Sequence, residues 1–212
     1  MTAAPEREVA VLATRNAHKL VELRRILAEA ELDIELIDIG EAEERLGVTI
    51  PEVPETGATF EENARLKSEA VCLATGLPAL ADDSGLCVDA LNGMPGVLSA
   101  RWSGPEASDA SNLALVLGQL VDIPTERRGA EFKCAASFTC PEQGTTVVVG
   151  TLEGHLIAEP RGANGFGYDP IFVPDGHDRT TAEMTGAEKD AISHRGRAFR
   201  RLALCLADRR DS

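Results

Sequence analysis

Four short segments hold more polar groups than strand ends and turns need for folding alone. The first is Thr14-Arg15-Asn16-Ala17-His18-Lys19, between an apolar run and a segment of helical periodicity. A helix starting there presents free backbone N–H groups and the positive end of its dipole, a setting suited to phosphate. Thr14 and Asn16 can donate hydrogen bonds, and Lys19 adds a point charge. Ordinary capping by Asn16 accounts for part of the same pattern. The glycines and the Gly-Lys-Ser/Thr ending of a Walker motif are missing. The second segment, Ala81-Asp82-Asp83-Ser84-Gly85, follows the apolar run 77–80. Mg²⁺ takes one or two carboxylates together with waters and substrate phosphates, so one of this pair could be a ligand. An Asx-type turn favours the same residues, and both readings stand on the local sequence.

The third segment is 51–57, PEVPETG, followed by Glu61, Glu62 and Asn63. Glu61 and Glu62 are read as complementing a helix dipole. Glu52 and Glu55 precede that helix in irregular chain, which makes them the better metal candidates. The fourth is 162–169, GANGFGYD, continued in 189–195, KDAISHR. Its glycines allow close backbone approach to a ligand, and Phe166 offers a stacking face for a base. Asp169, His194 and Arg195 could read base edges or contact phosphate. Loop glycines and a capped terminal helix are a plausible account of each half taken separately, and the spacing is not the dinucleotide fingerprint GxGxxG.

Positioning these groups requires alternating elements. Residues 9–13 read as a buried strand, and 16–30 as a helix with Leu20, Leu23, Leu27 and Ala30 on one face. Residues 33–39 alternate like a strand. Thr59 and Glu62 form a capping-box pattern opening a helix to about Thr75. The stretch 78–91 reads as strand, tight polar turn and a second apolar stretch. Ser108 caps a helix reaching about Val121, and 131–139 with 145–152 form an antiparallel hairpin around residues 141–144. Ser193 begins a last helix. Helix–strand alternation followed by a hairpin predicts an α/β protein with a mixed sheet. With no long linker, residues 1–212 are expected to form a single domain.

The bulk numbers exclude several classes. Acidic residues outnumber basic ones 35 to 21, a formal charge of −14, which repels nucleic-acid backbones and anionic membranes. A small anion can bind only where a metal or clustered cations reverse the field locally. No apolar run reaches the roughly 18 residues of a membrane helix, and acidic residues interrupt the N-terminus before a signal peptide could form. The five cysteines show neither CxxC nor zinc spacing and read as buried thiols in a reducing compartment. The expectation is a cytoplasmic protein.

In their order along the chain, the segments 14–23 (TRNAHKLVEL), 55–67 (ETGATFEENARLK), 81–104 (ADDSGLCVDALNGMPGVLSARWSG), 165–176 (GFGYDPIFVPDG) and 188–199 (EKDAISHRGRAF) resemble the inosine triphosphate pyrophosphatase family. Arg15 and His18 depart from the smaller residues that family often carries. The acidic run 41–47 does not match the Nudix signature, because its glycine is displaced by one position. The resemblance implies an elongated mixed sheet flanked by helices, two lobes around a nucleotide cleft, and a homodimer. It implies Mg²⁺-dependent cleavage of non-canonical purine nucleoside triphosphates (ITP, dITP, XTP) to monophosphate and pyrophosphate. Thr14 to Lys19 would hold the triphosphate. Asp83 would be general base and metal ligand, with Ser84 on substrate and Glu52 as second metal ligand. Phe166, Gly167, Tyr168, Asp169, Lys189, His194 and Arg195 would hold base and sugar-phosphate. Arg195 is the candidate donor to the purine O6, and Asp169 a candidate for excluding the guanine 2-amino group. A phosphohydrolase of other specificity, and a nucleotide-binding module without turnover, are the competing readings.

Overall fold

The computed structural model describes residues 8–15 and 17–210; for Ala17, His18, Glu22 and residues 208–210 only the backbone is described. Short apolar runs and amphipathic segments alternate to give β1 (Glu8–Leu12), α1 (Ala17–Glu29), β2 (Ile34–Asp38), α2 (Ile39–Leu46) and α3 (Phe60–Thr75). They continue as β3 (Ala79–Val88), β4 (Met94–Pro95), α4 (Asp109–Gln119), β5 (Gly129–Cys140), β6 (Gly144–Leu156), β7 (Phe172–Pro174), α5 (Gly186–Ile192) and α6 (His194–Arg210). The sheet runs β2-β1-β3-β5-β6-β7, with β4 paired to β3. β1 is parallel to β2 and β3, whereas β6–β7 and β3–β4 are antiparallel. The fold is thus mixed α/β, with a mixed sheet flanked by helices.

The chain forms two compact units, one of residues 1–83, 135–150 and 196–212, the other of residues 84–134 and 151–195. β3, β5 and β6 each contribute residues to both. The first unit buries Val11, Ile37, Ala42, Ile50, Val71 and Ala79 in one apolar cluster. The second buries Leu86, Val88, Leu120, Leu156, Ile171 and Phe172 in another.

Local chemistry explains the boundaries. Thr59 accepts the Glu62 N–H at 3.1 Å while Glu62 accepts the Thr59 N–H, so two orphan donors of α3 are satisfied reciprocally. Ser108 caps α4 in the same manner through Ser111. Several elements differ from the sequence reading: β4, β7 and α5 have no counterpart in it, and α2 and β3 differ for physical reasons. Helix α2 had no periodic signature because only Ala42 of its eight residues is buried; Asp38 caps its start, and Gly47, at φ 66°, ends it. The polar turn expected within 78–91 is absent. β3 instead runs unbroken through Asp82-Asp83-Ser84-Gly85, because side chains on other elements satisfy both carboxylates. Gly85 lets the strand pass its neighbours: a Cβ there would collide with the Ser99 hydroxyl and lie 2.6 Å from the Gly96 carbonyl oxygen.

Candidate active site

The first unit gathers charge around the middle of β3. Asp82, 4 % exposed, is held by Lys19 Nζ at 2.8 and 2.9 Å from its two oxygens. Burying a carboxylate costs its hydration, and a paired cation with hydrogen bonds compensates that loss. Asp83, 8 % exposed, accepts from Asn63 Nδ2 at 3.0 Å and from Lys67 Nζ at 3.2 Å. Lys67 also bonds Glu55 at 2.9 Å. Burial pushes the Asp83 carboxyl above its ordinary range, and Lys67 opposes that rise while Glu55 adds to it. Burial likewise works against the Lys67 ammonium, but Asp83, Glu55 and Asp82 outweigh it and hold the lysine above its ordinary value.

Lys67 and Asn63 reach Asp83 because α3 presents them one helical turn apart. Asn63 is fully buried and its carbonyl also accepts the Gly57 N–H at 2.7 Å, tying segment 51–57 to the helix. These two residues were missed as site residues by the sequence reading. The signal was there: Asn63 and Ser68 occupy the apolar face of α3 beside Ala64, Val71 and Cys72, polar groups where packing alone calls for hydrocarbon.

Thr14, Arg15, Glu52, Glu55 and Lys67 line one cavity of about 510 Å³. The structure therefore brings the 14–15 and 52–55 segments to one place. Glu52 is exposed. Arg15 pairs with Glu43 at 3.2 Å, and Glu43 is held below the usual carboxylate range first by the Ile50 N–H and then by Arg15. Asn16 lies outside the described residues. Ala17 and His18 open α1, with side chains that are likewise not described. Among the described residues no three His, Cys, Asp or Glu groups are placed to hold a metal ion.

The second unit contains a smaller cavity of about 140 Å³, lined among others by Ser84, Asp109, Phe166, Gly167, Tyr168, His194 and Arg195. Phe166 is 65 % exposed, and Lys189 Nζ stands 4.9 Å from its ring centroid. Asp169 is 2 % exposed; its oxygens accept from the Phe166 N–H at 2.8 Å, from Thr181 Oγ1 at 2.8 Å and from Lys189 Nζ. Its carboxylate thus braces the turn that displays Phe166. Gly165, at φ 75°, permits this, since a Cβ there would collide with that carboxylate. Tyr168 is buried and donates its hydroxyl to the Ser99 carbonyl at 2.8 Å. His194 stacks on Phe132 with centroids 5.1 Å apart and ring planes 15° apart.

The first cavity is lined by Arg15, Lys67, Glu52 and Glu55, and the second by the aromatic rings of Phe132, Phe166 and Tyr168 together with Arg195. A family model described as the Ham1 family matches residues 10–204. The chain belongs to the Ham1 family. A relative from Frankia alni named dITP/XTP pyrophosphatase is 56 % identical over 203 residues, covering 93 % of this chain and 96 % of its own. The solved structure of a HAM1 protein from Coxiella burnetii superposes with a TM-score of 0.86 at 42 % identity, covering 95 % of this chain and 99 % of that one. A structure titled nucleoside-triphosphatase / dITP/XTP pyrophosphatase, from Mycobacterium abscessus, gives a TM-score of 0.75 at 53 % identity, covering 92 % and 98 %. The Ham1 match spans the two charged clusters of the first unit and the Phe166 cavity of the second. No described helix of this Ham1 chain is long and apolar enough to cross a membrane.

Proposed function

We propose that residues 1–212 act as one nucleoside triphosphate pyrophosphatase domain that hydrolyses dITP, ITP and XTP to the monophosphate and pyrophosphate. The observation that carries this is Asp83: a buried carboxylate raised in pKa first by desolvation and held in place by hydrogen bonds from Lys67 and Asn63. A carboxylate in that state is a stronger base than a free aspartate and suits deprotonation of an attacking water. Water adds to phosphorus, the anhydride between the α- and β-phosphates breaks, and pyrophosphate leaves while the water's proton passes to Asp83. Phosphoryl chemistry of this kind asks the protein mainly for positioning and charge neutralisation. Lys19, Lys67 and the N–H groups opening α1 meet the triphosphate charge.

The donor set fits Mg²⁺. A cation would be held by Asp83, with Glu52 as second carboxylate, and by substrate phosphates, the mode this ion prefers. When bound it supplies neutralisation of phosphate charge and a more acidic water. In the second unit Phe166 stacks on the purine while Lys189 and Asp169 hold that ring in place; Gly167 and Tyr168 complete the wall and Ser84, His194 and Arg195 contact substrate. A donor such as Arg195 aimed at O6 leaves adenine unmatched, a discrimination worth roughly 10⁴ or more in sites built to hydrogen-bond their substrate. The homodimer implied by the family resemblance and a cytoplasmic location belong to the same reading, the latter supported by five cysteines that form no disulfide.

The test is pyrophosphate release from dITP, ITP, XTP, GTP and ATP with Mg²⁺ at mildly alkaline pH. Preference for the first three over GTP and ATP is expected. Comparable rates on ATP and ITP would remove the proposed specificity, and tight binding without pyrophosphate release would make the chain a binding module.

A further inference from the structure

We propose that Asp109, in the first turn of α4, is a positioning residue that latches the Phe166 turn onto the wall of the second unit's cavity; this rests on the reading of that cavity as the base site. The turn 165–169 is braced from within by Asp169, which takes the Phe166 N–H. The next N–H along, that of Gly167, has a different partner: it donates to Asp109 Oδ2 at 2.8 Å, 58 residues away in sequence. Successive N–H groups of one turn are thus held by carboxylates from two separate elements. Gly167 sits at φ 61°, in the left-handed region that glycine enters without strain, and this orients its N–H toward Asp109. Phe166 gains little from burial, being 65 % exposed, so these backbone bonds place the turn that carries it, with Lys189 standing over its ring.

The same end of α4 organises the rest of the wall. Asn112, one turn beyond Asp109, accepts from the Ser103 N–H at 2.8 Å and donates to the Ala100 carbonyl at 3.1 Å. Tyr168 reaches the neighbouring Ser99 carbonyl. Burial, and then the Asp109 charge, push the Tyr168 phenol well above its ordinary range, so it stays a neutral donor. Both Asp109 and Asn112 line the cavity. A latch of this geometry acts on how well a base is received, and not on the chemical step.

Two variants separate the latch from the charge. Asp109→Ala removes the acceptor; Asp109→Asn keeps an amide carbonyl in its place. For dITP hydrolysis, Asp109→Ala should raise KM about five- to tenfold with kcat within about twofold, and Asp109→Asn should return KM to within about twofold of the parent. Hydrogen exchange of the Gly167 amide, measured without nucleotide, should quicken by about tenfold or more in Asp109→Ala and stay near the parental rate in Asp109→Asn. An unchanged KM in Asp109→Ala, an equal loss in both variants, or an unaltered Gly167 exchange rate would overturn the proposal. Parental enzyme without pyrophosphate release would count against the functional reading, while Gly167 exchange would still decide whether the latch exists.

Discussion

Asp82 and Asp83 are adjacent in sequence yet differently employed. Asp82 is neutralised by both contacts from Lys19, whereas Asp83 shares Lys67 with Glu55 and keeps a neutral donor, Asn63, on its other oxygen. Asp83 therefore combines burial with incomplete compensation, which raises its pKa. Asp83→Asn should lower kcat by roughly 10²–10⁴, the range of a positioned general base, while nucleotide affinity measured by calorimetry stays within about tenfold. Retained turnover would remove Asp83 from the mechanism. The sign of the pH dependence follows from the proposed role: a base acts in its ionised form, so kcat/KM should rise with pH through a midpoint above the ordinary aspartate value of about 3.9. Lys67→Met removes the charge that opposes this rise and should move the acid limb to still higher pH. A limb shifted downward in that variant would contradict the assigned electrostatics.

At the level of elements, β3 carries a run of polar residues through the sheet, and its neighbours make this possible. Ser137 Oγ, from β5, donates to the Ala64 carbonyl at 2.7 Å and lies 2.9 Å from Ser68 Oγ. Ser68 in turn meets Thr139 at 2.8 Å. This buried hydroxyl chain fixes α3, and so Asn63 and Lys67, in register with the sheet. Gly85 is the other requirement. Gly85→Ala places a methyl group against Ser99 and the Gly96 carbonyl, and overpacking of this kind costs about 1–3 kcal/mol. The expected outcome is a lowered Tm in calorimetry; an unchanged Tm would mean that segment 96–99 yields without strain.

For the molecule as a whole the governing quantity is the formal charge of −14. A nucleoside triphosphate is itself polyanionic, so the protein's general field opposes binding and only local cations reverse it. Lys19 and Lys67, which meet the β3 carboxylates, are already paired with them. Part of their charge is therefore already offset, and on the proposed reading Mg²⁺ bound with the substrate supplies the remainder. EDTA should bring pyrophosphate release to background, and Mg²⁺ in excess should restore it. Activity that survives exhaustive chelation would rule out the metal-assisted reading.

Elements with strong local signals are legible in the linear chain. The capping box of α3, the Ser108 cap of α4, the alternation in β2 and the hairpin of β5 and β6 depend on residues within a few positions of one another. The chain also marks Asp83, Lys19, Glu52, Phe166 and Asp169 as chemically loaded, because their types exceed what their local structure requires. Which groups meet is settled by folding. Lys19 holds Asp82 across 63 residues, Asn63 holds Asp83 across 20, and Asp109 holds Gly167 across 58. Folding also makes 78–91 hold a continuous strand, since local sequence favours a turn at Asp-Ser-Gly until distant side chains satisfy the carboxylates. One physical cause is common to all of these. Propensity and capping are short-range energies that a linear pattern displays, whereas neutralising a buried charge depends on partners that only the folded chain brings within hydrogen-bond reach.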